Sequence, residues 1–150
     1  TLVLLYTGMR IGELIDMKIE DVHLDEQYMV GGSKTEAGKN RTIALADKIM
    51  PIIRKFYGDG SRTHLLISPL RNKPLTYMQF KHSWDKRMKA LGLNLGIHEC
   101  RHTTVTNLYK SGVAKEIIQA LVGHSGKDVT EKIYLHIGLD QLLEAVNKLK

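Results

Sequence analysis

Six polar side chains, spread over five stretches of the sequence, are candidates for chemistry. The first is Arg10, which stands at the expected start of a helix. A cation there opposes the helix dipole, at a cost of about 0.3–1 kcal/mol, unless it meets an anion. The second is Lys34, in a glycine-flanked turn. Each could be an ordinary solvated cation, so anion binding is a hypothesis that the other stretches must support.

The stretch His98-Glu99-Cys100-Arg101-His102 places His98 and Arg101 one helical turn apart. The two would share one face of a helix that begins near residue 98. His98 and His102 also have the i, i+4 spacing of a zinc-binding pair. The stretch matches the H-E-x-x-H pattern, but Cys100 points to another side of the helix, and we favour a site without metal.

The last two candidates lie toward the end of the chain. His124 follows a glycine at the expected end of a helix, where capping is the common role. Tyr134 is flanked by apolar residues and could be an ordinary core tyrosine. Neither residue is informative in isolation.

The elements that must position these residues are mostly helical. Apolar residues recur at helical spacing in several segments, which predicts about seven helices. Thr76 and Gln79 have the form of a capping box, so one helix should begin there and end near Leu91. The apolar segments lie around residues 11–15, 49–56, 80–88, 105–109, 117–121 and 139–146.

Three short β-prone runs, at residues 22–24, 28–30 and 42–45, are separated by turn-forming residues. They predict a small antiparallel sheet, with Lys34 in a mobile basic turn over residues 33–41. The expected fold class is therefore α+β, mostly α, with a small antiparallel sheet.

Composition narrows the function classes. A chain of 150 residues with 43% apolar residues fits one domain, residues 1–150. A net charge of +6 and a pI near 9.4 favour a polyanionic partner. No apolar run approaches the roughly 20 residues of a membrane span, and the lone Cys100 excludes an intrachain disulfide. We expect a cytoplasmic protein, and the apolar start without Met suggests a fragment of a longer one.

The five stretches together resemble the ordered signature of tyrosine recombinases of the phage-integrase type. In order, they are TGMRIGEL at residues 7–14, Lys34 in a hairpin, HECRH at 98–102, LVGHS at 121–125 and YLH at 134–136. Five motifs in the right order are far more specific than any one. The resemblance covers nearly the whole chain and implies the catalytic domain of such an enzyme.

This resemblance implies a site-specific DNA recombinase, or integrase, that cleaves and rejoins DNA strands through a 3′-phosphotyrosine intermediate. Such an enzyme is expected to need no metal, no other cofactor and no ATP. Two arginines can hold nonbridging phosphate oxygens in a way that lysine cannot. The resemblance implies that Arg10 and Arg101 form this clamp and that Tyr134 is the nucleophile. It also implies that Lys34 is the general acid, that His98 takes part in proton transfer and that His124 donates a hydrogen bond to the phosphate.

The implied partners are double-stranded DNA and other copies of the protein, arranged as a tetramer on the DNA, with no membrane. Family members usually have an N-terminal DNA-binding domain, and we expect this sequence to be a fragment without it. We expect the loop cations Lys39, Arg41, Arg71 and Lys73 to grip phosphates. The apolar side chains of the closing helix either pack on the same chain or dock on a neighbouring subunit; they are Leu139, Leu142, Leu143 and Val146.

Three other functions fit parts of the pattern. A type IB topoisomerase resembles this family and uses the same covalent chemistry, but its short motifs match less well. A DNA-binding module could keep the fold without the activity. A basic helical interaction protein needs none of the five motifs. The full set of catalytic residue types argues against the DNA-binding module and against the interaction protein.

Overall fold

The protein is seen in a computed structural model that describes residues 1–32, 40–68, 73–123 and 137–150. Within these residues the α-helices are α1 Leu2–Thr7, α2 Ile11–Ile15, α3 Met50–Tyr57, α4 Tyr77–Ala90, α5 Glu99–Lys110, α6 Lys115–Val122 and α7 Leu139–Asn147. The strands are β1 Val22–His23, β2 Tyr28–Gly31 and β3 Arg41–Ala44, and short 3-10 turns cover Ile19–Asp21 and Asp47–Ile49.

The strands form one antiparallel sheet in the order β1-β2-β3. Met29 lies opposite both Val22 on β1 and Ile43 on β3, and these three side chains are buried. Because side chains alternate along a strand, this register keeps the apolar face toward the helices. The expected fold class, mostly helical with a small antiparallel sheet, is confirmed.

Local sequence explains where the helices begin and end. Thr76 accepts a hydrogen bond from the Gln79 backbone N–H, and the Gln79 side chain accepts one from the Thr76 N–H, which starts α4 as predicted. The helix ends at Ala90, one residue before the predicted end. α1 and α6 end at Gly8 and Gly123, which both adopt the left-handed conformation that glycine tolerates best.

Helices α1, α5, α6 and α7 enclose the core together with β3. The Thr104 hydroxyl on α5 donates a 2.7 Å hydrogen bond to the Leu5 carbonyl, which fixes α1 against α5. In the closing helix α7, Leu142 and Val146 are buried in this core. Leu139 and Leu143 pack against it. These side chains therefore pack on their own chain, and docking on a neighbouring subunit stays a prediction.

Across the described parts of the chain, none of the helices combines the length and the apolar character needed to span a membrane. The largest fully buried side chains belong to several elements that are distant in sequence, such as Leu4, Met29, Ile53, Leu108 and Val146. The core therefore ties both ends of the chain to the sheet.

Candidate active site

Arg10 is the N-cap residue of α2, directly after the turn at Gly8. The Glu13 carboxylate accepts a hydrogen bond from the Arg10 backbone N–H at 2.7 Å and one from the Arg10 Nη1 at 3.2 Å. The anion needed to offset a cation at a helix start is thus supplied by the same helix. Arg10 keeps about a third of its side chain exposed, at 33%, so its guanidinium remains accessible.

Arg101 lies on α5 and is almost completely buried. Its Nη1 donates a 2.7 Å hydrogen bond to the Gly8 carbonyl. Its Nη2 is buried and has no hydrogen-bond partner among the residues that the structure describes. An unsatisfied buried donor on a charged group is costly, which makes this nitrogen a candidate for contact with an anion.

Gly8 allows the turn before Arg10 to approach the helices closely. It has φ +60°, and a Cβ there would lie 3.0 Å from the Val122 Cγ1 and 3.2 Å from the Thr104 Cγ2. Both the conformation and the close approach favour glycine. This contact brings the Gly8 carbonyl within reach of Arg101.

His98 is the N-cap residue of α5, and its ring lies edge-on to the His102 ring with centroids 5.0 Å apart. Burial, followed by the positive charges of His102, Arg101 and Arg10, lowers the pKa of His98 below its ordinary value of 6.5, while Glu99 opposes the shift. His98 is therefore mainly neutral at pH 7 and can accept a proton.

Arg10, His98 and Arg101 line one cleft of about 320 Å³. Its opposite wall is α4, which contributes Tyr77 and Lys81. The indole N–H of Trp84 fixes this helix by donating a 2.7 Å hydrogen bond to the Leu95 carbonyl, in the segment just before His98. The structure thus brings together three of the six predicted residues. The other three, Lys34, His124 and Tyr134, lie outside the described residues.

The cleft has an excess of positive charge. Burial, followed by the charges of Arg10 and Arg41, lowers the pKa of Arg101 to about 10, while Glu13 opposes the shift. Arg101 is still protonated at neutral pH, because this pKa is about three units above 7. Arg10, Arg101 and Lys81 line the cleft together with one carboxylate, Asp85, and the site is suited to an anion such as a phosphate.

The position of Arg41 shows that one prediction from the sequence was wrong. We expected a loop cation that grips phosphate, but Arg41 is the first residue of β3 and is buried. Its Nη2 lies 2.7 Å from the Glu13 Oε2. The alternation along β3 places Arg41 on the same inward face as Ile43, and Glu13 compensates its buried charge. Lys73 is exposed, as expected, whereas Lys39 and Arg71 lie outside the described residues.

Sequence reasoning assigned no role to Glu13 and placed Arg41 wrongly in a loop, although both residues had a signal. Glu13 stands three residues after Arg10, which is the spacing of a capping box. Arg41 stands two residues before the buried Ile43, which is the spacing of one strand face. Each signal is weak by itself because charged residues at such positions are usually solvated.

The metal alternative rested on His98 and His102. Among the described residues, no group of three or more histidine, cysteine, aspartate or glutamate side chains is placed to hold a metal ion. A second, larger cavity of about 710 Å³ is lined by Lys18, Tyr57, Arg62 and His64. It contains none of the three candidates that the structure describes, so the smaller cleft with Arg10 and Arg101 is the candidate site.

Comparison with known proteins identifies relatives of this chain. The tyrosine recombinase XerA of Pyrococcus horikoshii is 32% identical, over 99% of this chain and 53% of the relative. XerD of Staphylococcus haemolyticus is 30% identical, over 98% of this chain and 52% of the relative. The chain thus spans about half the length of these curated relatives.

Solved structures give the same answer for the fold. The crystal structure of a XerA recombinase matches with a TM-score of 0.71 at 28% identity, over 95% of this chain and 52% of that one. An integrase from mycobacterium phage Brujita matches with a TM-score of 0.79 at 21% identity, over 99% of this chain and 50% of that one. The family model described as the phage integrase family matches residues 1–139. Since this match includes all five motifs of the sequence signature, the chain belongs to the phage integrase family.

Proposed function

We propose that this protein is a site-specific DNA recombinase that cleaves and rejoins DNA strands through a covalent bond between Tyr134 and a 3′ phosphate. The observation that supports it best is the cleft lined by Arg10 and Arg101, where a buried Arg101 nitrogen has no partner among the described residues. Residues 1–150 would form the catalytic domain, and a DNA-binding domain would precede it in the complete protein.

A phosphodiester resists attack because its charge repels nucleophiles and the alkoxide that leaves is unstable. Arg10 and Arg101 would each bind nonbridging oxygens and stabilise the charge that builds up in the transition state. One such preorganised donor is typically worth about 3–4 kcal/mol. The excess positive charge of the cleft also attracts the phosphate in the ground state.

Tyr134 would attack the phosphorus, forming the Tyr Oη–P bond while the bond from phosphorus to the 5′ oxygen breaks. A free phenol has a pKa of about 10, so it must lose its proton as it attacks. The neutral His98 is suited to take part in that transfer. Lys34 would give the leaving oxygen its proton, and His124 would donate a hydrogen bond to the phosphate.

The covalent intermediate conserves the energy of the phosphodiester bond, so the reverse attack by a 5′ hydroxyl needs no ATP. The cations supply the positive charge, and therefore the proposal includes no metal. Cleavage should persist in EDTA. Loss of cleavage in the chelator, restored by zinc, would instead assign His98 and His102 to a metal.

Duplex DNA is the proposed substrate, in the cytoplasm. Among structures with the same fold are a lambda integrase dimer bound to a core site and a XerH recombinase bound to its difH substrate, with TM-scores of 0.64 and 0.66. We propose that the complete protein acts as a tetramer, because exchange between two duplexes requires four cuts.

The test uses a nicked duplex whose sequence is selected from a random pool by binding to the protein. After cleavage the short fragment with the 5′ hydroxyl diffuses away, so the covalent adduct accumulates. Wild-type protein should form an adduct that survives denaturation, and Tyr134→Phe should bind the duplex equally well but form none. An adduct with Tyr134→Phe would disprove the assignment. Relaxation of supercoiled DNA without any exchange between two duplexes would favour a topoisomerase.

A further inference from the structure

Arg41 has two partners that belong to different elements. Its Nη2 donates to the Glu13 Oε2 on α2, and its Nη1 donates to the Leu121 carbonyl on α6 at 3.2 Å. Burial lowers the pKa of Arg41, and the charge of Glu13 opposes the shift. Only a planar guanidinium can donate in two fixed directions in this way.

Glu13 shares its carboxylate between two arginines. The Oε2 that accepts from Arg41 also accepts from the Arg10 backbone N–H, and the other oxygen accepts from the Arg10 Nη1. The Glu13 side chain is fully buried, so no water replaces a lost partner easily. The position of the Arg10 guanidinium in the cleft therefore depends on where Arg41 holds this carboxylate.

Arg41 also contacts the end of α6. A Cβ at Gly123 would lie 2.8 Å from the Arg41 Cδ and 2.9 Å from its Nε. The next residue in the sequence is His124, and Lys34 precedes Arg41 by seven positions. Arg41 therefore contacts the residue that precedes His124, and it begins the strand that follows the segment with Lys34.

We propose that Arg41 is a positioning residue for the DNA cleavage reaction, which it serves by holding β3, the Arg10–Glu13 pair and the C-terminal end of α6 together. The inference rests on the proposed function. Arg41 acts through Glu13 and not by touching DNA, because its side chain is only 7% exposed. It differs in this respect from a cation that grips the DNA backbone.

The test compares Arg41→Met and Arg41→Lys with the wild-type protein on the nicked duplex described above. At saturating DNA, Arg41→Met should form the adduct about 10²-fold more slowly, because Arg10 is misplaced. The rate of adduct formation by Arg41→Lys should lie between those of the wild-type protein and Arg41→Met, since an ammonium can reach one partner but not both. The DNA dissociation constant and its salt dependence should not change. A lost phosphate contact would instead reduce the slope of log Kd against log salt by about 0.9.

Ile43→Ala is the matched control for a general loss of stability. Ile43 is buried on the same face of β3 but contacts neither Glu13 nor α6 through a polar group. Below its melting temperature this variant should form the adduct at nearly the wild-type rate. The double variant Arg41→Met with Glu13→Gln should form the adduct no more slowly than the slower of the two single variants. Both changes break the same contact, between Arg41 and Glu13.

The outcomes separate the two proposals. Wild-type protein that binds the duplex but forms no adduct would overturn the proposed function, and with it the role of Arg41. An active wild-type protein with an equally fast Arg41→Met variant would overturn the inference alone. A reduced salt slope would do the same by making Arg41 a DNA contact. Equal slowing by Ile43→Ala would also overturn it, because loss of stability would then explain the effect.

Discussion

The Arg101 Nη1 donates a hydrogen bond to the Gly8 carbonyl across 93 positions of sequence, at a distance of 2.7 Å. Gly8 begins the turn that leads to Arg10, so this bond sets the separation of the two arginines of the proposed clamp. It also uses only one edge of the Arg101 guanidinium. Nη2, which has no partner among the described residues, is the donor that we propose binds the phosphate.

Arg101→Lys should slow adduct formation severely although it keeps the charge. An ammonium that bonds to the Gly8 carbonyl cannot also present a second coplanar donor to a phosphate. We expect a loss of about 10²–10³-fold in the single-turnover rate, typical of a lost transition-state donor. Lys110→Ala, a change at an exposed cation on the same helix, is the control and should have little effect. A wild-type rate in Arg101→Lys would rule out the clamp.

Gly8→Ala should destabilise the protein by about 1–3 kcal/mol, because a side chain there meets both a left-handed backbone and the atoms of Val122 and Thr104. The matched control is Gly12→Ala. A Cβ at Gly12 has no atom within 4 Å, and alanine favours helix α2, so this change should stabilise by about 0.5–1 kcal/mol. Free energies of unfolding in urea measure both changes. Similar values for the two variants would contradict the close approach at Gly8.

The lowered pKa of His98 predicts how stability depends on pH. Between 6.5 and its folded value, His98 is protonated more often in the unfolded state than in the folded state. Stability should therefore rise with pH through this window and be lost as the pH falls from 6.5 through the lowered pKa of folded His98. His98→Gln should flatten this part of the profile in urea titrations at successive pH values. The control His82→Gln, at an exposed position on α4, should keep the wild-type profile.

Lys34→Ala should form little adduct on ordinary DNA and recover in part on DNA whose 5′ bridging oxygen is replaced by sulfur. A thiolate leaves without a proton, so the general acid is no longer needed. Arg10→Ala is the matched control, since it would act on nonbridging oxygens and should gain nothing from the sulfur. Both rates are measured in single turnover. Equal rescue of the two variants, or of neither, would remove Lys34 from the acid role.

Much of the fold could be predicted from the sequence, because its signals are local. Helix α4 begins at the Thr76 capping box as expected, and the sheet follows the alternation around Met29 and Ile43. Such patterns depend on backbone hydrogen bonds and on the burial of apolar faces over a few residues. Arg10, His98 and Arg101 were identified as candidates in another way, through the ordered motifs that resemble those of tyrosine recombinases.

Only the tertiary structure decided which partner each charged side chain has. The sequence by itself identified two arginines suited to a phosphate, but the contact between Arg101 and Gly8 and the burial of Arg41 on Glu13 join residues that are distant along the chain. A surface cation and a buried one have the same local sequence signal. Whether a guanidinium is solvated, paired or left with a free donor depends on the elements packed around it. Burial makes that difference large, because an unpaired charge is tolerated in water and costly away from it.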